Sequence, residues 1–364
     1  MKKIINLIKE NEEIKQIISL FKANENIYLK NTNEDNALLA LLSIFFNHNQ
    51  TIFVATPNLY KAQILYDKLS RVLDKDEISF FPQDEFLTSE LLVSSIEFKL
   101  ERINTIIKIL SKKKKIVIVN LFGLLKPQLP AEKWKKSKIN FSINQDYNLD
   151  EIKNKLIEYG YKNEYTVEKI GDFAIRGGIV DIYPVNSEKP YRLDFFGDLL
   201  ENIKVFDIDS QRSIESVDNF SLFPINEFFY NDSELNSLKE LIKNKISKTD
   251  FSEETLEIIK DDIIKLENRE ELDRLSRYIS ITNNKHYKIT DLVSNPKIFF
   301  LDYNRIIQQN EIIIDEIREW YMQTSDYPKM NFDILYDFNE IEQIKGVRVD
   351  YLDYVQNRNF KHVF

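Results

Sequence analysis

Two arginines and a phenylalanine carry the strongest chemical signal in this chain of 364 residues. They lie in the stretch from Lys169 to Ser213, KIGDFAIRGGIVDIYPVNSEKPYRLDFFGDLLENIKVFDIDSQRS. Along an extended strand, successive side chains point to opposite faces. In the run Tyr191 to Phe196, Tyr191, Leu193 and Phe195 therefore share one face and make a natural core. Arg192, Asp194 and Phe196 share the other, which puts a large apolar ring among charges on the side expected to be wet. Single apolar side chains on a surface are ordinary. Arginine mixed with aromatic residues is also the composition in which interface hot spots concentrate. Arg176, one strand earlier, is close enough in a meander to join Arg192 and Phe196 in one protein-binding patch. The chemistry offered is recognition, by guanidinium pairing and burial of a ring, rather than bond making.

Other candidates are weaker. His48, His286 and His362 are scattered without metal-ligand spacing, and the lack of cysteine removes disulfides and thiolate metal sites, as suits a reducing cytoplasm. Asp84-Glu85 has the form of a magnesium-binding acidic pair, but Pro82 stands just before it, and the structural reading is preferred. The loop Lys30 to Asn36 follows the first strand of an α/β pattern, the place where phosphates bind in such folds. It has no glycine to let backbone amides converge and no Lys-Ser/Thr pair, and Glu34 and Asp35 stand where a phosphate would sit. No catalytic, cofactor-binding or metal-binding residue is expected. A formal net charge of -9 opposes sequence-independent DNA binding as the main task. Lys112 to Lys115 reads as a solvated helix end where lysines complement the dipole. Together with Lys135-Lys136 it is the basis of the alternative reading as a nucleic-acid-binding module.

The elements that position the patch follow from local pattern. Gly177-Gly178 loosens the backbone after Arg176, and Ile179 to Tyr183 makes a short β-rich run stopped by Pro184. A polar turn, Asn186 to Pro190, leads into Tyr191 to Phe196, and Gly197-Asp198 turns the chain into Ile203 to Phe206. Upstream, residues 1 to about 145 alternate strand and helix. Strands are expected at Ile27 to Leu29, Thr51 to Ala55, Ile78 to Phe81 and Ile116 to Val119. Helices are expected at Ala37 to Phe46 with Asp35 as N-cap, at Asn58 to Leu73, and over Ile96, Leu100, Ile103, Ile107 and Leu110. Such alternation implies a parallel sheet covered by helices on both faces. Asn148 with Glu151 predicts a capped helix start, with Ile152, Leu156 and Ile157 inward and Gly160 at its end. The longest apolar stretch, Ala37 to Phe46, is too short to span a bilayer. The charged start MKKIINLIKENEEIK is not a secretory signal.

GDFAIRGGIVDIYP, then PYRLDFFGD, then VFDIDSQRS resembles the UvrA-interaction domain shared by the repair helicase UvrB and the transcription-repair coupling factors, or Mfd proteins. That resemblance implies a docking surface for the damage-recognition protein UvrA, with Arg176, Arg192 and Phe196 on the contact positions. UvrB-like proteins keep a phosphate loop and, after the strand matching Ile78 to Phe81, a tyrosine-rich hairpin. Here FPQ is followed by DEFLTSELLVSS, without tyrosine. Loss of both features is similar to the amino-terminal module of the coupling factors.

The implied fold class is α/β: a parallel-sheet, degenerate helicase-like (UvrB-like) domain with an inserted small antiparallel-β-rich α+β docking domain. The expected domains are 1–145 as the first α/β segment, 146–228 as the docking domain, and 229–330 as the returning segment. Residues 331–364 are expected to be a linker or the start of a further unit. The resemblance implies a non-catalytic module of transcription-coupled nucleotide excision repair that recruits UvrA. Contacts to DNA and RNA polymerase would run only through domains absent from this chain. With no covering domain after Phe364, UvrA binding is expected to be constitutive. The alternatives are a UvrB-like ATP-dependent DNA repair helicase fragment and the nucleic-acid-binding module above.

Overall fold

Strand and helix alternate through the first part of the chain as the apolar runs require. The elements are α1 (Glu12–Lys22), β1 (Ile27–Leu29), α2 (Glu34–Asn47), β2 (Ile52–Thr56), α3 (Leu59–Ser70), β3 (Ile78–Phe81), α4 (Ile96–Leu110), β4 (Ile116–Asn120) and α5 (Leu121–Leu125). The computed structural model describes residues 11–84, 95–268, 278, 281, 285, 287–323, 326–330, 333–351 and 362–363. β2, β3 and β4 are buried along their whole length, the signature of parallel strands covered on both faces. α2 begins earlier than predicted. Asn33, not Asp35, caps it, its side chain accepting from the Asn36 amide at 2.8 Å. The inner face of α4 is Ile103, Ile106 and Ile109 together with Arg102 and Thr105, and Ile96 is exposed. This rotation from the predicted stripe is stabilised by polar contacts to the strand next door. Arg102 donates to the Pro82 carbonyl at 2.8 Å and Thr105 to the Phe80 carbonyl at 2.5 Å.

The lysine run after α4 is half buried rather than simply solvated. Lys114 Nζ donates to the Phe45 and His48 carbonyls at 2.8 and 3.0 Å, at the end of α2. Lys115 Nζ donates to the Lys108 and Lys113 carbonyls, both at 2.7 Å, at the end of α4. Each ammonium is therefore held by carbonyls at or just beyond a helix end, where cations are favoured. Burial, with Lys108 and Lys113 nearby, brings the Lys115 pKa down to about 8. The folded value lies below the unfolded one, so unfolding takes up a proton between about pH 8 and 10.5. Stability contributed at this site must therefore rise with pH across that window, by up to about 1.4 kcal/mol per pH unit. Urea unfolding of the wild type and Lys115→Met from pH 7 to 10 checks this. A stability gap between them that stays flat would refute it.

The middle of the chain builds a second unit. It contains α6 (Ala131–Lys136), β5 (Ile139–Ser142), β6 (Gln145–Asp146), α7 (Leu149–Glu158), β7 (Lys162–Asn163), β8 (Asp172–Arg176), β9 (Ile179–Ile182), β10 (Tyr191–Phe196), β11 (Leu199–Phe206), β12 (Ser213–Val217) and β13 (Asn219–Leu222). Two helices follow, α8 (Asp232–Lys248) and α9 (Glu253–Asn268). The main sheet runs β12-β11-β10-β9-β8-β7 and is antiparallel except where β7 meets β8, while β5 and β13 form a separate pair. Asn148 caps α7 as predicted, accepting from the amides of Asp150 and Glu151 at 3.0 Å each. Asn231 and Glu234 cap α8 reciprocally in a full capping box.

The chain then returns to the first sheet with β14 (Lys297–Leu301), α10 (Tyr303–Gln323), α11 (Phe338–Glu342), β15 (Gly346–Val349) and β16 (His362–Val363). That sheet is parallel throughout, in the order β16-β1-β15-β14-β2-β4-β3. The α/β class with a β-rich insertion is thus observed, but with boundaries shifted from those expected. One unit comprises 1–127, 285–328 and 333–364, and the other 128–284 with 329–332. α8 and α9 belong with the inserted unit. Leu235, Leu238 and Ile242 bury one face of α8, and Lys133 of α6 pairs with Glu234 at 2.8 Å. Nor is 331–364 a simple linker. β15 lies between β1 and β14, and a Cβ on Gly346 would stand 1.8 Å from the Ile298 carbonyl oxygen, so only glycine permits that pairing.

Candidate docking site

The predicted faces of β10 are those observed. Tyr191 stacks on Phe220 (centroids 4.2 Å apart, 8° between planes), Phe195 meets Tyr147 edge-on at 6.4 Å, and Leu193 is fully buried. The opposite face carries Arg192, Asp194 and Phe196. Phe196 is 75% exposed. Its strand ends in the two-residue hairpin Gly197-Asp198, with Phe196 paired to Leu199. On the neighbouring hairpin, Gly177 adopts φ +59° and Gly178 lies against β10. The Phe195 amide donates to the Gly178 carbonyl at 2.7 Å, and a Cβ on Gly178 would fall 2.6 Å from the Phe195 oxygen. Gly177 thus allows the turn, and Gly178 sets how closely the β8–β9 hairpin can approach the strand that presents Phe196.

Arg176 and Arg192 do meet, but through a residue the sequence reading passed over. Asp181 of β9 lies between them, with Ala174 and Arg192 as its register partners. Its carboxylate is completely buried. Arg192 donates to it through Nε at 2.7 Å and Nη2 at 2.9 Å, and Arg176 donates through Nη2. The bonds to Asp181 raise the already high pKa of the Arg192 guanidinium. Arg192 also donates to the Gln211 carbonyl at 3.2 Å and lies over the Phe206 ring at 4.7 Å. Its side chain is only 19% exposed, against 40% for Arg176.

Both guanidinium groups are thus held by one carboxylate of their own domain. A bidentate arginine–carboxylate fork is geometrically specific, and here it is spent inside the domain. Lys204 pairs with Asp194 at 2.6 Å on the same face. Arg176, Arg192 and Lys204 against Asp181 and Asp194 sum to one net positive charge, and Asp198 in the hairpin beside the exposed ring offsets it. Such a surface favours an apolar pocket, with charge steering modest. Charge reversal at this position, Arg192→Glu, would set a carboxylate against buried Asp181. It would perturb the fold as well as the surface.

In the parallel-sheet unit the carboxyl ends of β1, β14 and β15 are lined with acid. Glu34 and Asp35 lie in the first turn of α2, where Lys68 reaches both, at 3.2 and 2.7 Å. Asn33 already occupies an amide at that helix start. Buried Asp350 accepts from the Tyr28 hydroxyl at 2.5 Å and the Asn304 amide at 2.8 Å. Burial, with Asp350 nearby, raises the Asp302 pKa. Burial, with Glu34, Asp302 and Asp350, pushes up the Tyr351 phenol. Lys61 and Arg305 face Asp302 as well, so acid and base are mixed at the position where α/β folds usually receive phosphate, and Asn33 already takes an amide there. Asp84 accepts from the Ser95 amide at 3.2 Å, while Glu85 and most of the segment DEFLTSELLVSS lie outside the described residues. Among the described residues, no group of three or more His, Asp or Glu is placed to hold a metal, and no helix is long and apolar enough to cross a membrane.

Residues 139–228 match the UvrB interaction domain family, a span holding β5 to β13 and every residue of the patch. The chain carries a UvrB interaction domain. The parallel-sheet unit is covered by a longer similarity. The transcription-repair-coupling factor of Bacillus subtilis (strain 168) is 28% identical over 348 residues, which is 93% of this chain and 30% of that protein. Coupling factors of Staphylococcus aureus strains MSSA476 and MW2 are each 29% identical over 246 residues, covering 68% of this chain and 21% of those proteins. The chain thus spans under a third of the length of the curated relatives it matches. It is a module like the amino-terminal part of a coupling factor, and the matched UvrB interaction domain is not an obvious catalytic domain. Around that domain's arginine pair, sequence reasoning missed Asp181, Ile179 and Tyr165. Asp181 sits in IVDI, which reads as an ordinary buried strand. Its charge in an otherwise apolar run was the available signal, since buried carboxylates are rare unless paired.

Proposed function

We propose that the chain is a non-catalytic docking module that recruits UvrA for nucleotide excision repair coupled to transcription. Phe196 carries the reading. It is a large ring, mostly in water, on a rigid β-hairpin beside two ordered arginines, within a UvrB interaction domain. In the complex Phe196 fills an apolar pocket of UvrA. Arg176 retains exposed donor capacity for a carboxylate at the pocket rim, while Arg192 chiefly holds Asp181 and the strand in place. The mixed charges and the capped helix start of the other unit support a scaffold role over nucleotide hydrolysis.

The test is size-exclusion co-elution of the chain with UvrA at micromolar concentrations of both. A stable complex is expected without added nucleotide or DNA. Separate elution of the two proteins would defeat the reading.

A further inference from the structure

Beside Arg176 lies a second exposed aromatic residue. Tyr165 stands in the connection between β7 and β8 and is 87% exposed, more than Phe196. The connection itself is held firmly. Arg176 Nη1 donates to the Tyr165 carbonyl at 3.1 Å, and the Glu164 amide donates to the Phe173 carbonyl at 2.8 Å. Asp172 accepts from the amides of Glu168 and Lys169 at 3.1 and 3.0 Å. Val167 is buried, and Gln211 donates to its carbonyl at 3.2 Å. The phenol ring is therefore displayed by a fixed backbone rather than by a loose loop.

The bond from the Arg176 guanidinium to its carbonyl places the Tyr165 backbone at the edge of the proposed docking face. Arg176 pairs with Ile179, which is 38% exposed, and Ile179 pairs with Asp194, two residues before Phe196. Adjacent strands lie about 4.8 Å apart, so Ile179 neighbours Arg176 on the same sheet face, and Phe196 lies on that face two strands away. Tyr165 is tied to Arg176 through its carbonyl, and all lie within the reach of one protein partner. Tyrosine supplies contact area at low conformational-entropy cost and keeps a hydroxyl for a rim hydrogen bond.

Resting on the docking reading, we propose that Tyr165 is a second aromatic anchor for UvrA, and that Arg176 is a positioning residue that holds it. The partner surface then has two apolar depressions, with an acidic group between them facing Arg176. Removal of Arg176 acts in part by releasing the Tyr165 backbone.

Calorimetric titration of UvrA with the full chain and its variants tests this. Tyr165→Ala should weaken binding by about tenfold, with thermal unfolding unchanged because the side chain lies in solvent. Tyr165→Phe should stay within about threefold of wild type if the ring is the anchor. Arg176→Ala should cost less in the Tyr165→Ala background than alone, the non-additivity expected of coupled residues. If Tyr165→Ala binds as wild type does while Phe196→Ala does not, Tyr165 is a bystander and the docking reading stands. Additive effects of Arg176→Ala and Tyr165→Ala would overturn the positioning role. If neither aromatic substitution matters, or the wild type does not bind, the docking face fails and this proposal fails with it.

Discussion

Replacing Phe196 with alanine is expected to lower affinity for UvrA by about 30-fold or more while leaving the unfolding transition where it was. The figure follows from a buried aromatic anchor, for which truncation costs about 2 kcal/mol or more. The stability half of the expectation follows from geometry. Three-quarters of the Phe196 surface is in water, and the core side of β10 is built by Tyr191, Leu193 and Phe195. Truncation therefore removes little that the domain itself uses. Calorimetry for affinity and scanning fluorimetry for unfolding check the two halves separately. Retained affinity with an intact fold would remove Phe196 from the interface.

Asp181→Ala should produce the largest change in stability, a loss of about 3 kcal/mol, or roughly 10 °C in Tm for a unit of this size. Removing one member of a buried ion pair leaves its partners desolvated without compensation. Arg192 would remain over Phe206 bonded only to the Gln211 carbonyl among the contacts given above, and Arg176 would keep only the Tyr165 carbonyl. The estimate takes the low end of the usual range because Arg176 can rehydrate. UvrA affinity should also fall, since both guanidinium groups lose their fixed positions. Denaturant unfolding measures the first effect. A change below about 1 kcal/mol would mean that the shared carboxylate is not the hub of this sheet face.

What could be read from the chain alone was whatever depends on neighbours in sequence. The period-two pattern of YRLDFF assigned the two faces of β10 correctly, because side-chain alternation needs no knowledge of the partner strands. For the same reason β3 and α4 began and ended where their patterns did, and Asn148 capped its helix. The UvrB interaction domain was legible because its residues form one continuous stretch.

Tertiary structure decided the rest. Arg176, Asp181 and Arg192 lie on three strands, and only the pairing of β8, β9 and β10 reveals that two cations share one buried acid. β15 escaped notice because GVRV carries Arg348, a charge that argues against a buried strand. In the fold that guanidinium is satisfied by Asn26 at 2.7 Å and the Glu342 carbonyl at 2.5 Å, and it lies over Phe300. Lys115 is the same case at a helix end. Which side chains share a face is a local property of backbone geometry. Whether a charge can afford to be buried depends on partners that arrive from elsewhere in the chain.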